Sequence, residues 1–566
     1  MWSTIISYIP NWTIFMQAGI TFVIPIGVYH MYKSLYFYVG SGKPSENNSA
    51  SSQTAAPPDK ENAAEPEPQQ LRPDAVITGN LAYDLKLIKA AIGQNSDVNF
   101  REFVVRGFQA RAVLMYVNGM QDEEQINKQV MQPLMMMDKQ EGRGELLPDR
   151  LSCEYVKENL LPLAQISEAK DMKDLQESVL FGYTALLIDG MPHALYVGLP
   201  NGANRAITEP TSEALLRGPR LGFTEVLSEN TSMLRRQGLN KNLEMKTYEV
   251  GNLMKKKLVI AYINNIVNQD LLQDVTERIC KIDMDYIAES GYVEQLIEDN
   301  YLSPFQQTQN TERPDRVISA LLEGRIAILL DGTPFALIVP VTFSMLLQSP
   351  EDYYERWLPG SLLRLMRFGA SFMALMAPAL YISFISFHPG LIPTELAISI
   401  ILTRAGVPFP SVIEVMILEI SIEILREAGI RLPKPIGPAM GIVGGLIIGD
   451  AAVQAGIVSP FLVIVVAVTA ISSFSIPMYS AGITLRILRF AGMIFAAVLG
   501  MFGTILFFLL ICIHLTKLKS FGVPYVTPFS PIRLGDWKDL YLRAPLSLMR
   551  RRPEMLKTQI KKRRGK

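Results

Sequence analysis

Four glutamates lie in a segment that is otherwise apolar enough to enter a membrane. Residues 410–429, PSVIEVMILEISIEILREAG, contain Glu414, Glu419, Glu423 and Glu427. At about 100° of rotation per helical residue, the last three share one stripe of a helix, and Glu414 points away from that stripe. A charged side chain at the centre of a bilayer costs at least about 2.5 kcal/mol, so such residues normally face a bundle interior or a water-filled path.

These glutamates have two interpretations. In the first, they attract cations to an aqueous face, and Glu414, Glu419 and Glu423 are candidate residues of an ion path. In the second, the helix packs against protein or lies at the membrane interface, with Arg426 and Arg431 as partners of the acids. The sequence favours neither.

The next apolar segment has a glycine at every fourth position: Gly437, Gly441, Gly445 and Gly449. Small residues at this spacing let helix backbones approach closely in a membrane, so we expect mainly a helix-packing surface. The alternative is a thin helix that lines a pore. Narrow apolar positions would then gate the pore by dewetting, and the candidates are Ile442, Val443 and Ile447.

Other residues that could do chemistry have simpler explanations. Asp189 and Asp331 each precede a glycine, which predicts a turn rather than a catalytic carboxylate pair. The short signatures of nucleotide, acyl-transfer and zinc chemistry do not occur. The three cysteines and four histidines are scattered. We therefore expect no catalytic residue, no cofactor site and no metal site, and the isolated thiols suit a reducing cytosol.

Charge separates a soluble part from a membrane part. Only twelve of the 108 charged residues fall within 368–515, and the formal net charge of the chain is zero, which gives no sign of nucleic-acid binding. Runs of about 20 apolar residues predict membrane helices. The candidates are 12–32, 368–386, 410–429, 435–450 continuing to 455, 457–476 and 490–515.

The soluble part contains an internal repeat. SVLFGYTALLIDGMPHALYVG (178–198) matches ISALLEGRIAILLDGTPFALIVP (318–340), with Asp189-Gly190 aligned to Asp331-Gly332 at an offset of 142. Each copy predicts a hairpin of two apolar strands around an Asp-Gly turn. Upstream, RAVLMYVNG (111–119) resembles KLVIAYINN (257–265).

The predicted fold class is an α+β soluble region of two related α/β subdomains, followed by an α-helical polytopic membrane domain. The expected divisions are an N-terminal membrane segment (1–40), a disordered linker (41–73), subdomain 1 (74–210), subdomain 2 (211–360), the membrane domain (361–516) and a basic tail (517–566).

The segment SPEDYYERW (349–357) directly precedes the membrane block, and we interpret it as the coupling region between the two parts. Its candidate residues are Glu351, Asp352, Tyr353, Tyr354, Glu355, Arg356 and Trp357, of which the tryptophan suits the membrane interface. A capped amphipathic helix with a solvated charged face explains the same pattern equally well.

Several long motifs resemble one known family. They are PFALIVPVTFSMLLQSPEDYYERW (334–357), SFHPGLIPTELAISI (386–400), EILREAGIRLPKPIG (423–437) and SFGVPY (520–525). These motifs are similar to the A subunits of GerA-type spore germinant receptors, and the resemblance runs from about residue 74 to 530. The N-terminal hydrophobic segment and the linker are not part of the family pattern.

The resemblance implies a multi-pass protein of the spore inner membrane. It implies that the protein functions together with a transporter-like B subunit, which looks like the germinant-binding partner, and with a lipoprotein C subunit. It also implies that A subunits form a homo-oligomeric ring in the lipid and conduct cations when germinant binds. A secondary transporter and a non-conducting scaffold are the alternative functions.

The side of the membrane on which each end lies is ambiguous. Arginines before the first and last spans favour a cytoplasmic soluble region. Five crossings after that region would leave the basic tail on the opposite side, against the same rule.

Overall fold

The computed structural model describes residues 76–136, 151–431 and 449–563, except for 164, 200–208, 211, 214, 239 and 534. The predicted helix 12–32 and linker 41–73 lie outside the described residues. So do most candidates on the glycine segment, namely Gly437, Gly441, Ile442, Val443, Gly445 and Ile447.

Two five-stranded antiparallel sheets form the first part of the chain. The first has the order β1-β2-β4-β5-β3 and the second the corresponding order β6-β7-β9-β10-β8. The strands are β1 Val98–Val105, β2 Ala110–Val117, β3 Ile166–Ala169, β4 Thr184–Ile188, β5 Ala194–Val197, β6 Leu243–Val250, β7 Lys256–Ile263, β8 Gln309–Thr311, β9 Ile326–Leu330 and β10 Ala336–Val339. We call the sheets and their covering helices the first and second sheet regions.

The repeated hairpins are β4–β5 and β9–β10, as predicted. Leu186 pairs with Leu195, and Ile328 pairs with Leu337 at the equivalent place. Strands β4 and β9 are buried along their whole length, which explains why they are continuously apolar. The aspartate of each turn accepts a hydrogen bond from the backbone N–H of the first residue of a helix in the same sheet region. Leu81 donates to Asp189 over 3.1 Å, and Leu227 donates to Asp331 over 3.2 Å.

Helices cover both faces of each sheet. One face of the first sheet packs on α1 Leu81–Ile92 and α2 Met172–Phe181, and the other on short helical turns within 123–135 and 153–160. In the second sheet region α3 Leu227–Arg236 and α6 Pro314–Glu323 cover one face. The other face packs on α4 Gln269–Cys280 and α5 Ser290–Ile297. Both sheet regions are therefore three-layered.

A buried ion pair joins the two sheet regions. The Arg235 guanidinium at the end of α3 lies 2.8 Å from the Asp97 carboxylate, and it also donates to Asn95 over 3.1 Å. Arg235 and Asp97 are both buried, so each neutralises the other where water cannot.

The rest of the chain is helical. Its longer helices are α7 Trp357–Ser386, α8 Thr394–Arg404, α9 Ser411–Arg431, α10 Pro460–Phe474 and α11 Tyr479–Lys517. Among the described residues, α7 and α11 are long and apolar enough to cross a membrane. The glutamate segment forms α9, as its pattern predicts, and α8 is a helix that the pattern did not predict.

The predicted last span, 490–515, is wrong as a single crossing, because α11 reverses at Gly500. This glycine has φ 59° and ψ −137°, a backbone conformation available essentially to glycine alone. The Phe495 and Phe507 rings on either side lie 5.6 Å apart, whereas a straight helix would separate these residues by about 18 Å. Residues 479–499 and 501–517 thus form two antiparallel arms.

The chain after α11 returns to the second sheet region. Strands β11 Lys519–Ser520 and β12 Val523–Pro524 form a small hairpin next to it. Further along, Arg552 donates to the carbonyl of Leu322 over 2.7 Å, and the Gln559 side chain donates to the carbonyl of Val267 over 2.8 Å. The basic tail therefore lies on the same side of the helical part as the sheets.

Candidate functional site

The residues of the predicted coupling segment lie where three parts of the chain meet. We call this place the junction. It comprises segment 349–357, loop 299–307 of the second sheet region and residues 518–545 after α11, together with the ends of α7 and α11 that they contact. The end of the helical part near the junction is its near end, and the end around Gly500 is its far end.

Asp352 is the centre of the junction. Its carboxylate is fully buried and lies 3.2 Å from Arg364 and 2.7 Å from Arg367, which are both on α7. Arg543 of the tail donates to the backbone carbonyls of Asp352 and Glu355 over 2.7 and 2.6 Å. One short segment is thus held by the helical part and by the tail together.

The two tyrosines beside Asp352 point to different partners. Tyr353 donates to Asp539 of the tail over 2.6 Å, and Arg364 pairs with the same carboxylate over 2.8 Å. Tyr354 donates to Asp315 at the start of α6, and Arg313 lies 3.2 Å from that aspartate. Burial raises the pKa of both tyrosines, so both are neutral hydrogen-bond donors near pH 7.

The remaining predicted coupling residues are at the edge of the junction. Glu355 lies 3.8 Å from Arg217, a distant and largely exposed pair. Trp357 is half-exposed at the start of α7, and Glu351 and Arg356 make no side-chain hydrogen bond or ion pair among the described residues. Asp352 and the two tyrosines therefore form most of the contacts of this segment.

Loop 299–307 is a part of the junction that sequence reasoning missed. Pro304 accepts a hydrogen bond from Thr484 over 2.7 Å, and Ser303 lies 2.9 Å from His514. Those two partners are on opposite arms of α11, and both arms therefore end against this loop. No short motif marks the loop, and only its polar composition between α5 and β8 could have drawn attention to it.

The SFGVPY motif fastens the chain after α11 to the same loop. Phe521 donates its N–H to Asp299 over 2.6 Å, Ser520 donates to the carbonyl of Gln307 over 2.7 Å, and Tyr525 donates to that of Gln306 over 2.6 Å. The Arg278 guanidinium stacks 4.4 Å from the Phe521 ring. The motif is thus a docking element.

A partly buried titratable group, Glu298, lies beside this docking element. Burial raises the pKa of Glu298 to about 7, although its carboxylate accepts a hydrogen bond from the N–H of Gln307 over 2.6 Å. Burial also raises the pKa of Glu294. Near neutral pH, protonation of Glu298 changes the charge directly behind the loop.

Within the helical part, the described glutamates of α9 are paired with arginines. Glu414, near the far end, is fully buried and lies 2.7 Å from Arg404 of α8. It also accepts the N–H of Ser459, which begins α10, over 3.1 Å. Glu414 therefore holds α8 and the start of α10 against α9.

The other glutamates are progressively more exposed towards the near end. Glu419 lies 2.8 Å from Arg489 of α11, and both are about 1% exposed. Glu423 lies 3.1 Å from Arg486, and its side chain is 37% exposed. Glu427 pairs within α9 with Arg431 over 2.7 Å and is 61% exposed. The interpretation that arginines partner these acids thus agrees with the single chain. Arg431 pairs with Glu427 and Arg426 lies 3.9 Å from Glu423, and further partners come from α8 and α11.

Gly449 is the described member of the glycine series, and a side chain there would only touch Val463 of α10. Among the described residues, no group of three or more histidine, cysteine or acidic side chains could hold a metal ion.

Comparison with known proteins shows to which family the chain belongs. The family model described as Bacillus/Clostridium GerA spore germination protein matches residues 86–555. The chain belongs to the GerA family. It is 40% identical to spore germination protein GerLA of Bacillus cereus, over 85% of this chain and 97% of that protein. It is 42% identical to spore germination protein B1 of Bacillus subtilis (strain 168), over 84% of this chain and 97% of that protein.

A solved structure matches about half of this GerA-family chain. It is the crystal structure of the N-terminal domain of the A subunit of the Bacillus megaterium spore germinant receptor GerK3. It is 33% identical, with a TM-score of 0.37 over 48% of this chain and 99% of that one. The family resemblance deduced from the four motifs is confirmed by the family match.

Proposed function

We propose that this chain is the A subunit of a spore germinant receptor and spans the spore inner membrane. It works there with a transporter-like B subunit and a lipoprotein C subunit. Copies of the chain assemble into a ring and conduct cations when germinant binds. The family membership supports the receptor role, and the partly exposed side chain of Glu423 among apolar helices is the observation that carries the channel.

The membrane placement rests on the distribution of arginines along the helices. Arg364, Arg367, Arg486 and Arg489 lie in the near halves of α7 and α11, close to the sheets, whereas Arg404 lies at the far end. Cytoplasmic ends of membrane helices carry the excess of Lys and Arg. The sheets, the junction and the tail therefore face the cytoplasm in this proposal.

The channel proposal assigns different roles to the glutamates of α9. Buried Glu414 and Glu419 hold helices together, because separating a buried pair leaves an uncompensated charge. Glu423 has a partly exposed side chain, although its Oε2 is buried and its Oε1 pairs with Arg486, and one such group from every copy would make a ring of carboxylates that attracts cations. The glycine segment, with Ile442, Val443 and Ile447, stays the proposed packing surface or gate.

Coupling passes through the junction in this proposal. Asp352 and Tyr353 connect the sheet region to α7 and the tail, and loop 299–307 holds both arms of α11. Germinant binding to a partner would open the ring only to the extent that the germinant binds the open assembly more tightly. Cysteine pairs across segment 349–357 should crosslink differently with and without germinant; identical crosslinking contradicts coupling through this segment.

Ion flux through the full-length protein in liposomes tests the function. A channel passes cations down a gradient without coupling, a transporter shows saturable coupled exchange, and a scaffold shows neither. We expect Glu423→Gln to reduce cation flux several-fold, because a neutral ring no longer concentrates cations. Glu427→Gln is the matched control, since Glu427 pairs inside its own helix. Unchanged conductance and selectivity in Glu419→Gln and Glu423→Gln would remove both residues from the ion path.

A further inference from the structure

A cavity beside the junction has an excess of positive charge. Its volume is about 1040 Å³, and it lies between α6, the segment after β10 and the C-terminal tail. Its lining has seven cationic and four acidic side chains. The cations are Arg316, Arg325, Lys538, Arg550, Arg551, Arg552 and Arg563, of which Arg316 pairs over 3.0 Å with Glu213 outside the lining.

Most acidic side chains of the lining already have ion-pair or hydrogen-bond partners. Asp539 accepts hydrogen bonds from Arg364 and Tyr353. Glu323 lies between two guanidiniums, 3.5 Å from Arg325 and 3.4 Å from Arg563. Burial raises the pKa of Asp536, which weakens the negative side of the lining further.

Several cations of the lining lack a carboxylate partner among the described residues. Arg552 donates only to backbone carbonyls, and burial, followed by the charge of Arg563, lowers its pKa. Arg550 and Arg551 are exposed and form no ion pair there. Arg325, which is 1% exposed, shares its one carboxylate with Arg563. Because one carboxylate balances two guanidiniums here, buried Arg325 creates a positive potential at the wall of the cavity.

The cavity is also next to the near end of α7. Asp539 and Leu540 line it, and both accept hydrogen bonds from Arg364, the eighth residue of α7, over 2.8 and 3.3 Å. Leu546 and Leu548 are lining residues with more than half of their surface exposed. Guanidiniums match the oxygens of a phosphate group, and the two leucines offer an apolar edge beside them.

We infer that this cavity binds a phosphate-bearing anion, either the headgroup of an anionic phospholipid or a soluble phosphate. The lipid source rests on the membrane placement proposed above. A bound anion would neutralise Arg550 and Arg551 and would hold the tail against α6. Polybasic segments at a cytoplasmic membrane surface attract anionic lipid in the same way.

The experiment places full-length protein in nanodiscs of phosphatidylcholine, with or without phosphatidylglycerol, and measures retained lipid by native mass spectrometry. A second arm measures the thermal shift of detergent-solubilised protein with inorganic phosphate. The test variant is Arg550→Glu/Arg551→Glu. The matched control is Lys561→Glu/Lys562→Glu, which changes two exposed cations of the same tail that do not line the cavity.

We expect the wild type to retain phosphatidylglycerol preferentially, to show a thermal shift with inorganic phosphate, or to do both. In the arm that responds, the retained phosphatidylglycerol or the phosphate-induced thermal shift of the test variant should be about tenfold smaller. The control should keep the wild-type response. Preference for phosphatidylglycerol identifies a lipid source, and a phosphate shift alone identifies a soluble one.

Equal losses in the two variants, or a wild type that responds in neither arm, overturn the anion site. Melting of both variants without ligand shows whether they fold. Incorporation into nanodiscs is scored separately: a protein that does not incorporate contradicts the membrane placement, and the phosphate arm in detergent still tests the site.

Discussion

The first and second sheet regions have the same strand order, the same capping aspartate and the same hairpin, yet they have different neighbours. Among the described residues, no hydrogen bond or ion pair joins 76–199 to 357–563. The second sheet region, in contrast, contacts α11 at Thr484 and His514 and the chain after α11 at Phe521. The contacts come from its loop 299–307 and from segment 349–357. Loops and flanking segments, rather than the sheet, thus determine which copy is connected to the helices.

The largest expected effect comes from the residue at the centre of the junction. Asp352→Ala removes the carboxylate shared by buried Arg364 and mostly buried Arg367, which should cost about 3–5 kcal/mol. Thermal and denaturant unfolding of the full-length protein in detergent measures the loss. Glu351→Ala, one residue away and without a side-chain partner among the described residues, should stay within about 0.5 kcal/mol. Equal effects of the two variants would show that the buried network is not what holds the junction.

The second expected effect separates the two copies directly. Gly182 and Gly324 end α2 and α6 with the same φ of 99°, so alanine at either position should cost about 2 kcal/mol. A methyl group at Gly324 would also meet Thr558 of the tail, and one at Gly182 would meet the side chain of Met120, most closely at its flexible end. Limited trypsin digestion should cut the tail faster in Gly324→Ala than in Gly182→Ala. Equal rates would mean that the tail does not depend on this contact.

A pH effect is expected from the second sheet region. The pKa of Glu298 is about 7 in the fold, against an ordinary value of 4.5. The folded state therefore binds more protons between these values, and stability falls as pH rises from 4.5 through 7. The fall should be about 1–2 kcal/mol, since the carboxyl is only partly buried. Unfolding titrations of Glu298→Gln should lack this fall; an unchanged pH profile would assign it to another group.

The smallest expected effect should be equal in the two copies. Asp189→Ala and Asp331→Ala each remove one hydrogen bond to the start of a helix, which should cost about 1 kcal/mol. The two losses are compared by denaturant unfolding. A much larger loss in Asp331→Ala would show that the turn of the second copy also supports the junction.

Much of this fold could be predicted from the sequence because the signals are local. The strand–turn–strand pattern around each Asp-Gly pair predicts both hairpins, and the apolar run around Glu419 predicts the helix that carries it. The reversal in α11 could not be predicted in the same way, since residues 490–515 have the composition of one crossing. Gly500 is one of many glycines in apolar helices, and only its backbone conformation and the contact between Phe495 and Phe507 show that the chain turns there.

In the candidate site, too, local features could be predicted and contacts between distant residues could not. Sequence reasoning found segment 349–357 and the acids of α9, because charged residues next to or inside apolar runs are conspicuous. It missed loop 299–307 and could not match Glu419 with Arg489, since these partners are separated by 70 positions and no periodicity connects them.

By itself the sequence determined the family, the two related hairpins and the division into a polar and an apolar part. Each of these depends on residue types over short stretches. Only the tertiary structure decided that the acids of α9 are paired, that the tail returns to the sheets and that the second copy alone meets the helices by hydrogen bonds and ion pairs among the described residues. Those outcomes depend on contacts between residues far apart in the chain, whose free energies come from burial and charge pairing that exist only after folding.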